Sequence, residues 1–458
     1  MSQEPLFQND NEANNEQDRL LPHNAEDNVN HQKLNHSQYS AKSSEKKESP
    51  TPLGTATFIK SLIGTGVLAL PYVINAVGIV PAWILLIGIG FLNLYVMQLV
   101  NEVANDLGIV KVDFGRLALV LTGKKWFRYF SEANLLVVQL GSVIAAVVFI
   151  SKYLEVISCA LGWSWLCSHY LIQYAVILGF ILPASGITDL HYLAIPNVIA
   201  LGFQLAFFIV FCVTSIQLMA TQGVSHGGFK ESLHRFDLSE LPVAFATILY
   251  AYEGVGLMLE VRTSVGGGNK FDMVLFLAFT ASMILYSFFG SVGALAYGDN
   301  AQSVIFLSMD STNQLILLVQ FGYLLAIIIG APSILYSASR LIENYKIFNK
   351  WIVDKKTGKK SKIKRQLVRL PIVLVICAIA AVIPSFGSFL SLLGGCNFVI
   401  LCFVLPVVFY YFRFRGDPTR KQKFIVNWII MGVGIVLGAI AVVQSIADMV
   451  EGDNSVAD

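Results

Sequence analysis

Charge is what this chain has least of. Asp, Glu, Lys and Arg make up 14% of its 458 residues, where soluble domains carry roughly 25%. Apolar residues make up 55%, and runs of about 20 of them, nearly free of charge, recur along the chain, each long enough to cross roughly 30 Å of hydrocarbon. A large soluble core is thereby excluded, and the expectation is an all-α polytopic membrane protein. Enzyme signatures are missing as well: there is no phosphate-cradling GxxxxGKS/T, no HExxH, and no nucleophile with an evident base partner. The chain is therefore read as no enzyme, with no cofactor and no nucleic-acid partner. Without an ATP site, any transport it performs must draw on an ion or substrate gradient.

Cysteine is also sparse. Of the six, Cys212, Cys377, Cys396 and Cys402 fall within apolar runs, where a small apolar residue is explanation enough. Cys159 and Cys167 flank ALGWSWL in a loop expected to face the oxidising side, where a disulfide between them is allowed. No spacing of Cys, His and acidic residues suggests a metal site. A cleavable signal peptide is absent too, since no apolar h-region follows a basic start, so the first span is expected to direct insertion itself.

What is present divides into three parts. Residues 1–50 are rich in Asn, Glu, Gln, Ser, Lys and His with few large apolar side chains, which predicts a disordered tail. Residues 51–448 carry the spans, and 449–458 form a short polar tail. Eleven spans are expected: Thr55 to Ala76, Pro81 to Ala104, Phe130 to Ile157, His169 to Leu182, His191 to Gln217, Leu241 to Val261, Phe271 to Tyr297, Asn313 to Leu341, Leu367 to Ile383, Phe386 to Tyr411 and Phe424 to Ala447. The fourth is short and only PSFGS separates the ninth from the tenth, so ten or twelve stay open. Lysine and arginine concentrate in alternate loops, most heavily between Arg340 and Arg369, where eleven fall counting both ends. The opposite loops hold Lys230 and Arg235, with Lys152 near a span end. By the positive-inside rule the amino terminus is cytosolic and the last residues lie on the lumenal or extracellular side.

Two spans are built to break. The first contains IGTGVLALP, in which Gly64 and Gly66 flank Thr65 and weaken the helix. Freed backbone groups are expensive in lipid, so an unwound stretch survives only where it lines a protein cavity or holds a ligand. The half-helix end then points bare N–H groups toward an anion such as a carboxylate. A small-residue packing face is the alternative. The sixth span reads LPVAFATILYAYEGVGLMLE, placing Glu253 well inside the apolar run with Gly254 and Gly256 after it. An ionisable residue at that depth is a functional candidate, the alternative being a structural carboxylate bonded to a neighbouring helix. If spans one to five and six to ten are inverted repeats, the two glycine-interrupted spans correspond, which points to a midplane site in a secondary transporter. Elsewhere Glu132 and Glu260 read as interfacial or solvated, and Lys60 as a side chain that snorkels to the headgroups.

KSLIGTGVLALP, AFATILYAYEGVGLMLE and IPSFGSFLSLLGG resemble the amino acid/auxin permease family, which includes fungal vacuolar and animal lysosomal proton-coupled amino-acid transporters. The resemblance covers roughly Pro52 to Asp448. It implies eleven spans in the inverted five-plus-five fold of the amino acid, polyamine and organocation superfamily, unwound in helices 1 and 6 around a small amino acid. Gly64, Thr65 and Gly66 would take the substrate carboxylate, while Tyr250, Ala251, Tyr252, Glu253 and Gly254 would surround the amino group. Thr57 departs from the pattern, because some animal proton-coupled members carry His there, so Glu253 becomes the candidate for proton coupling. In the tail, Glu16 lies four residues before Leu20 and Leu21, resembling the acidic dileucine signal that adaptor proteins read on endosomal and lysosomal cargo. The expected function is a proton-linked carrier of small neutral amino acids, from an acidic lysosomal or vacuolar lumen to the cytosol, with the plasma membrane as the other location. A sensor that binds an amino acid without turnover is the alternative.

Overall fold

In the computed structural model, the described residues are 51–109, 113–163, 165, 173–174, 177, 179, 194–225, 236–310, 313–353 and 361–454. Thr51–Leu62 forms α1, a 3-10 turn covers Thr65–Ala69, and α2 follows as Leu70–Val77. Next come α3 (Ile79–Asp106), α4 (Phe114–Thr122), α5 (Lys125–Ala160) and α6 (Ala194–Gln222). A second broken segment joins α7 (Leu241–Ala251), a 3-10 turn at Glu253–Leu257 and α8 (Met258–Val265). Then follow α9 (Gly268–Tyr297), α10 (Gln314–Asn344), α11 (Lys346–Ile352), α12 (Lys362–Val382), α13 (Phe386–Leu393), α14 (Leu405–Phe414) and α15 (Lys421–Asn454).

Eight helices among the described residues are long and apolar enough to cross a membrane, and the bent pair Gly54–Leu62 with Thr65–Val77 makes a ninth. The sixth expected span appears as the shorter apolar helix α7 continued through its break into α8. The fourth, 169–182, lies almost wholly outside the described residues. PSFGS separates two helices, as Val382 ends α12 and Ser385 caps α13 by accepting a hydrogen bond from the Ser388 amide. The chain is an all-α polytopic membrane protein. Lipid, in place of water, solvates its outer face: Ile84, Ile209, Ile284 and Leu318 are each about two-thirds exposed, as bilayer-facing side chains must be.

Helix α9 packs against α1, α2, α3 and α6, while α10 packs against α5 and α6. Aromatic rings fill the space between them: Phe207, Phe208, Phe211, Phe289, Phe306 and Tyr323 stand with centroids 4.5–6.2 Å apart in edge-on and tilted contacts, the range in which such pairs attract. A further irregularity sits in the tenth span. Between α13 and α14 the chain winds into π-helical turns at Gly394–Phe398 and Ile400–Val404. There α7 comes so close that a Cβ on Gly394 would lie 1.9 Å from the Ala246 carbonyl oxygen. Only glycine admits that approach.

Ion pairs gather at one end of the bundle. Arg413 pairs with Asp106, and Arg420 with Glu102 and Asp417. Arg262, nearly buried, donates to Asn101 Oδ1 at 2.8 Å, Asn105 Oδ1 at 2.7 Å and the Ile109 carbonyl at 3.0 Å, tying the end of α8 to the end of α3. Glu343 at the end of α10 receives Arg365 and Arg369 from α12. Glu132 differs from the interfacial expectation: it is 9% exposed and accepts from Arg128 Nε at 2.7 Å, because α4 packs on α5 and covers it.

Candidate functional site

The two broken segments cross. Helix α1 packs on the Glu253–Leu257 turn, and α7 packs on the Thr65–Ala69 turn. Each break is therefore walled by the other. The first half-helices stop where the glycines begin: α1 ends at Leu62, and Gly64 adopts an extended conformation with φ −116° and ψ −156°. The turn at Thr65 runs into α2 as one half-helix bent 47° from α1. No side chain caps its start, so its first N–H groups lack a partner within the turn. Across the crossing, α7 ends at Ala251, and Tyr252 leaves helical geometry with ψ 40°.

Ending α1 early frees three successive carbonyls, and three other helices answer them. Tyr286 on α9 donates its hydroxyl to the Leu62 carbonyl at 2.7 Å. Gln204 on α6 donates Nε2 to Ile63 at 3.0 Å, and Tyr323 on α10 donates its hydroxyl to Gly64 at 2.9 Å. Tyr286 also reaches the Ala251 carbonyl at 3.2 Å, so one hydroxyl joins both breaks. An unpaired carbonyl in hydrocarbon costs several kcal/mol; these side chains are what let the chain unwind here.

The candidate residues come together in part. Thr65 Oγ1 lies 3.3 Å from the Tyr250 hydroxyl. Thr65, Tyr250, Ala251 and Tyr252 are all buried. Gly66 backs onto α7, where an added Cβ would stand 2.7 Å from Tyr250 Cδ1 and 2.9 Å from Ala251 Cα. Gly254 backs onto α1 in the same way, 2.8 Å from Leu62 Cδ2. Tyr252 turns its hydroxyl to the Leu86 carbonyl on α3 at 3.1 Å. Also on α3, Asn93 is fully buried and neither of its amide atoms has a hydrogen-bond partner among the described residues. The Glu253 backbone lies in the second turn, directly after Tyr252; its side chain is outside the described set. Glu16, Leu20, Leu21 and Cys167 likewise lie outside the described residues, and Cys159 is disulfide-bonded.

Two readings need correction. Lys60 does not extend toward headgroups; its ammonium rests against Gly330 on α10, 2.6 Å from where a Cβ there would stand. Glu260 is partly exposed rather than simply solvated, for it also accepts from Ser337 Oγ on α10 at 3.3 Å. Gln204, Tyr286 and Tyr323 did not stand out in the sequence. Their signal would have been a hydrogen-bonding side chain in the middle of an otherwise apolar span, which marks a residue that needs a partner on another helix.

The sequence model described as "Transmembrane amino acid transporter protein" matches residues 48–450. The chain belongs to that family. It is thus a transporter-family protein rather than an enzyme. Vacuolar amino acid transporter 4 of Saccharomyces cerevisiae is 27% identical over 396 residues, covering 80% of this chain and 53% of the yeast protein. Amino acid transporter ANT1 of Arabidopsis thaliana is 27% identical over 77% of this chain and 82% of its own length. Amino acid transporter AVT3B of Arabidopsis thaliana is 24% identical over 85% of this chain and 91% of its own. The transporter thus spans about half of the yeast relative and most of the plant ones.

Tyr286→Phe tests the junction between the breaks. The variant keeps the ring, whose centroid stands 5.1 Å from that of Tyr252, and removes both hydroxyl bonds. Stranding buried acceptors costs about 1–3 kcal/mol each. Uptake by the purified transporter in proteoliposomes is expected to fall about tenfold, with a lower thermal midpoint in detergent. Unchanged values for both would show that the hydroxyl does not hold the breaks together.

Proposed function

We propose that this transporter is a secondary active carrier of small neutral amino acids, coupled to protons, moving substrate from an acidic lumen to the cytosol. The observation that carries the reading is the crossing of two unwound segments, the first with three freed carbonyls held by side chains of other helices and the second joined to it through Tyr286 at the Ala251 carbonyl. Amino-acid zwitterions need an electropositive and an electronegative end close together. The half-helix starting at Thr65 offers N–H groups and the positive end of its dipole to the carboxylate. The end of α7 at Ala251 and Tyr252 offers carbonyls and hydroxyls to the ammonium, as broken spans in transporters do. Gly66 and Gly254 press the segments together, which favours a small substrate. Burial of these residues corresponds to an occluded state, and rocking of the broken spans would expose the site to each side in turn.

Glu253, next to the ammonium-facing carbonyls, is assigned the coupling role: protonated on the acidic side during loading, deprotonated on the cytosolic side at release. The vacuolar name of the yeast relative favours a vacuolar or lysosomal membrane, with Glu16, Leu20 and Leu21 as the adaptor-read signal and the amino terminus in the cytosol. The deciding experiment is uptake of a panel of labelled amino acids into proteoliposomes, with and without a pH gradient, for wild type and Glu253→Gln. A gradient is expected to stimulate wild-type uptake severalfold, and the variant is expected to lose that stimulation while still binding substrate. Uptake indifferent to pH in both proteins removes proton coupling; binding with no uptake leaves a sensor.

A further inference from the structure

Away from the crossing, the basic end of the bundle holds a cavity of about 690 Å³ between the end of α10, α11 and the first turns of α12. Ile342, Phe348, Trp351, Val368, Pro371 and Ile372 line it, with Lys350 at its edge. Its wall is almost wholly apolar. Helix α11 is the element that makes it. This seven-residue helix is held at its far end, where Ile352 is fully buried and its carbonyl accepts from the Ser361 amide at 3.1 Å. The other apolar side chains of α11 are left out: Ile347 is 81% exposed and Trp351 48%.

Two cations stand by this opening. Lys364 Nζ lies 6.0 Å from the centroid of the Trp351 ring, and Lys350 immediately precedes that tryptophan. Neither lysine has an acidic partner among the described residues, because Arg365 and Arg369 take both oxygens of Glu343, the carboxylate at this end of α10. The arrangement has the shape of one ligand class: a long apolar body entering from the side, a negative head at the lip, and a Trp ring at the boundary between them, where tryptophan prefers to sit.

We infer that the α10–α11–α12 cavity binds an anionic phospholipid, with an acyl chain in the groove and the phosphate between Lys350 and Lys364. A zwitterionic lipid would fill the groove as well but would gain less from the two lysines. The preference for the anionic headgroup is therefore expected to be about 30-fold, from the usual surface contribution of two lysines. This inference is independent of the substrate site and of whether the protein transports.

The test uses the full-length protein in detergent, with dioleoyl phosphatidylglycerol and dioleoyl phosphatidylcholine as probes and native mass spectrometry as the readout of retained lipid. Wild type is expected to retain phosphatidylglycerol preferentially, and Lys350→Gln with Lys364→Gln to bring the preference to about threefold or less. Lys350 is exposed and Lys364 partly exposed, and glutamine keeps most of each side chain's length, so the double variant is expected to keep the fold, which its thermal midpoint in detergent checks. Val368→Trp, which fills the groove, is expected to reduce retention of both lipids. Millimolar glycerol 3-phosphate should not displace the lipid. Equal retention of the two lipids by wild type, an unchanged preference in the lysine variant, or displacement by glycerol 3-phosphate would each overturn the assignment. So would a rise in phosphatidylglycerol retention on deletion of residues 1–50, which would make the tail the occupant.

Discussion

Gly66→Ala is expected to abolish most amino-acid uptake, by tenfold or more, while the protein still reaches the membrane. The added methyl would stand 2.7 Å from Tyr250 Cδ1, 3.0 Å from Cε1 and 2.9 Å from Ala251 Cα. The ring cannot step aside, because Tyr250 is fully buried and its edge-on neighbour Phe398 is 5.3 Å away between centroids. Ala251 Cα is backbone. Relief must therefore come from separating the two breaks, which costs about 1–3 kcal/mol by the usual penalty for overpacking and moves Thr65 Oγ1 away from the Tyr250 hydroxyl. The control is Gly88→Ala on α3, where nothing lies within 4 Å of the new Cβ. Proteoliposome uptake and surface or vacuolar abundance, measured together for both variants, decide the matter. Normal uptake by Gly66→Ala would mean that the crossing is not where substrate passes.

The places where the helices break were legible because helix propensity is local. Gly64 and Gly66 in span one, and Gly254 and Gly256 after Tyr252, weaken their own turns whatever surrounds them. The partners of the break were not legible, because Gln204, Tyr286 and Tyr323 come from three helices whose rotation and depth depend on the whole bundle. The same limit explains Lys60. A lysine on the cytosolic half of a span reads as a snorkelling side chain, but Gly330, with no side chain of its own, leaves room for the ammonium on the face of α10. Glu260 likewise reads as interfacial until Ser337 is brought beside it. The π-helical turns after Gly394 were hidden inside LLGGCNFVILCFVLP, a continuous apolar run. They begin at Gly394, where Ala246 of another span comes too close for any side chain, a contact that only the folded bundle reveals.

Glu343→Gln is expected to be the most destabilising single substitution outside the site. Glu343 is fully buried, Arg369 is 1% exposed, and the Arg365 side chain is 17% exposed. Arg365 Nε donates to one carboxylate oxygen at 2.7 Å and Arg369 Nε to the other at 2.8 Å. Removing the negative charge leaves two arginines facing each other, one with no route to water. Breaking a buried pair by deleting one partner costs about 3–5 kcal/mol, so the thermal midpoint in detergent should fall on the order of 5 °C. The cause would be the stranded arginine, and a second variant isolates it. In Glu343→Leu with Arg369→Met, both buried charges become apolar groups of similar size and Arg365 can turn to solvent, and most of the lost stability should return. If the double variant is as unstable as Glu343→Gln, the carboxylate is required for the packing of α10 on α12 rather than for neutralising Arg369.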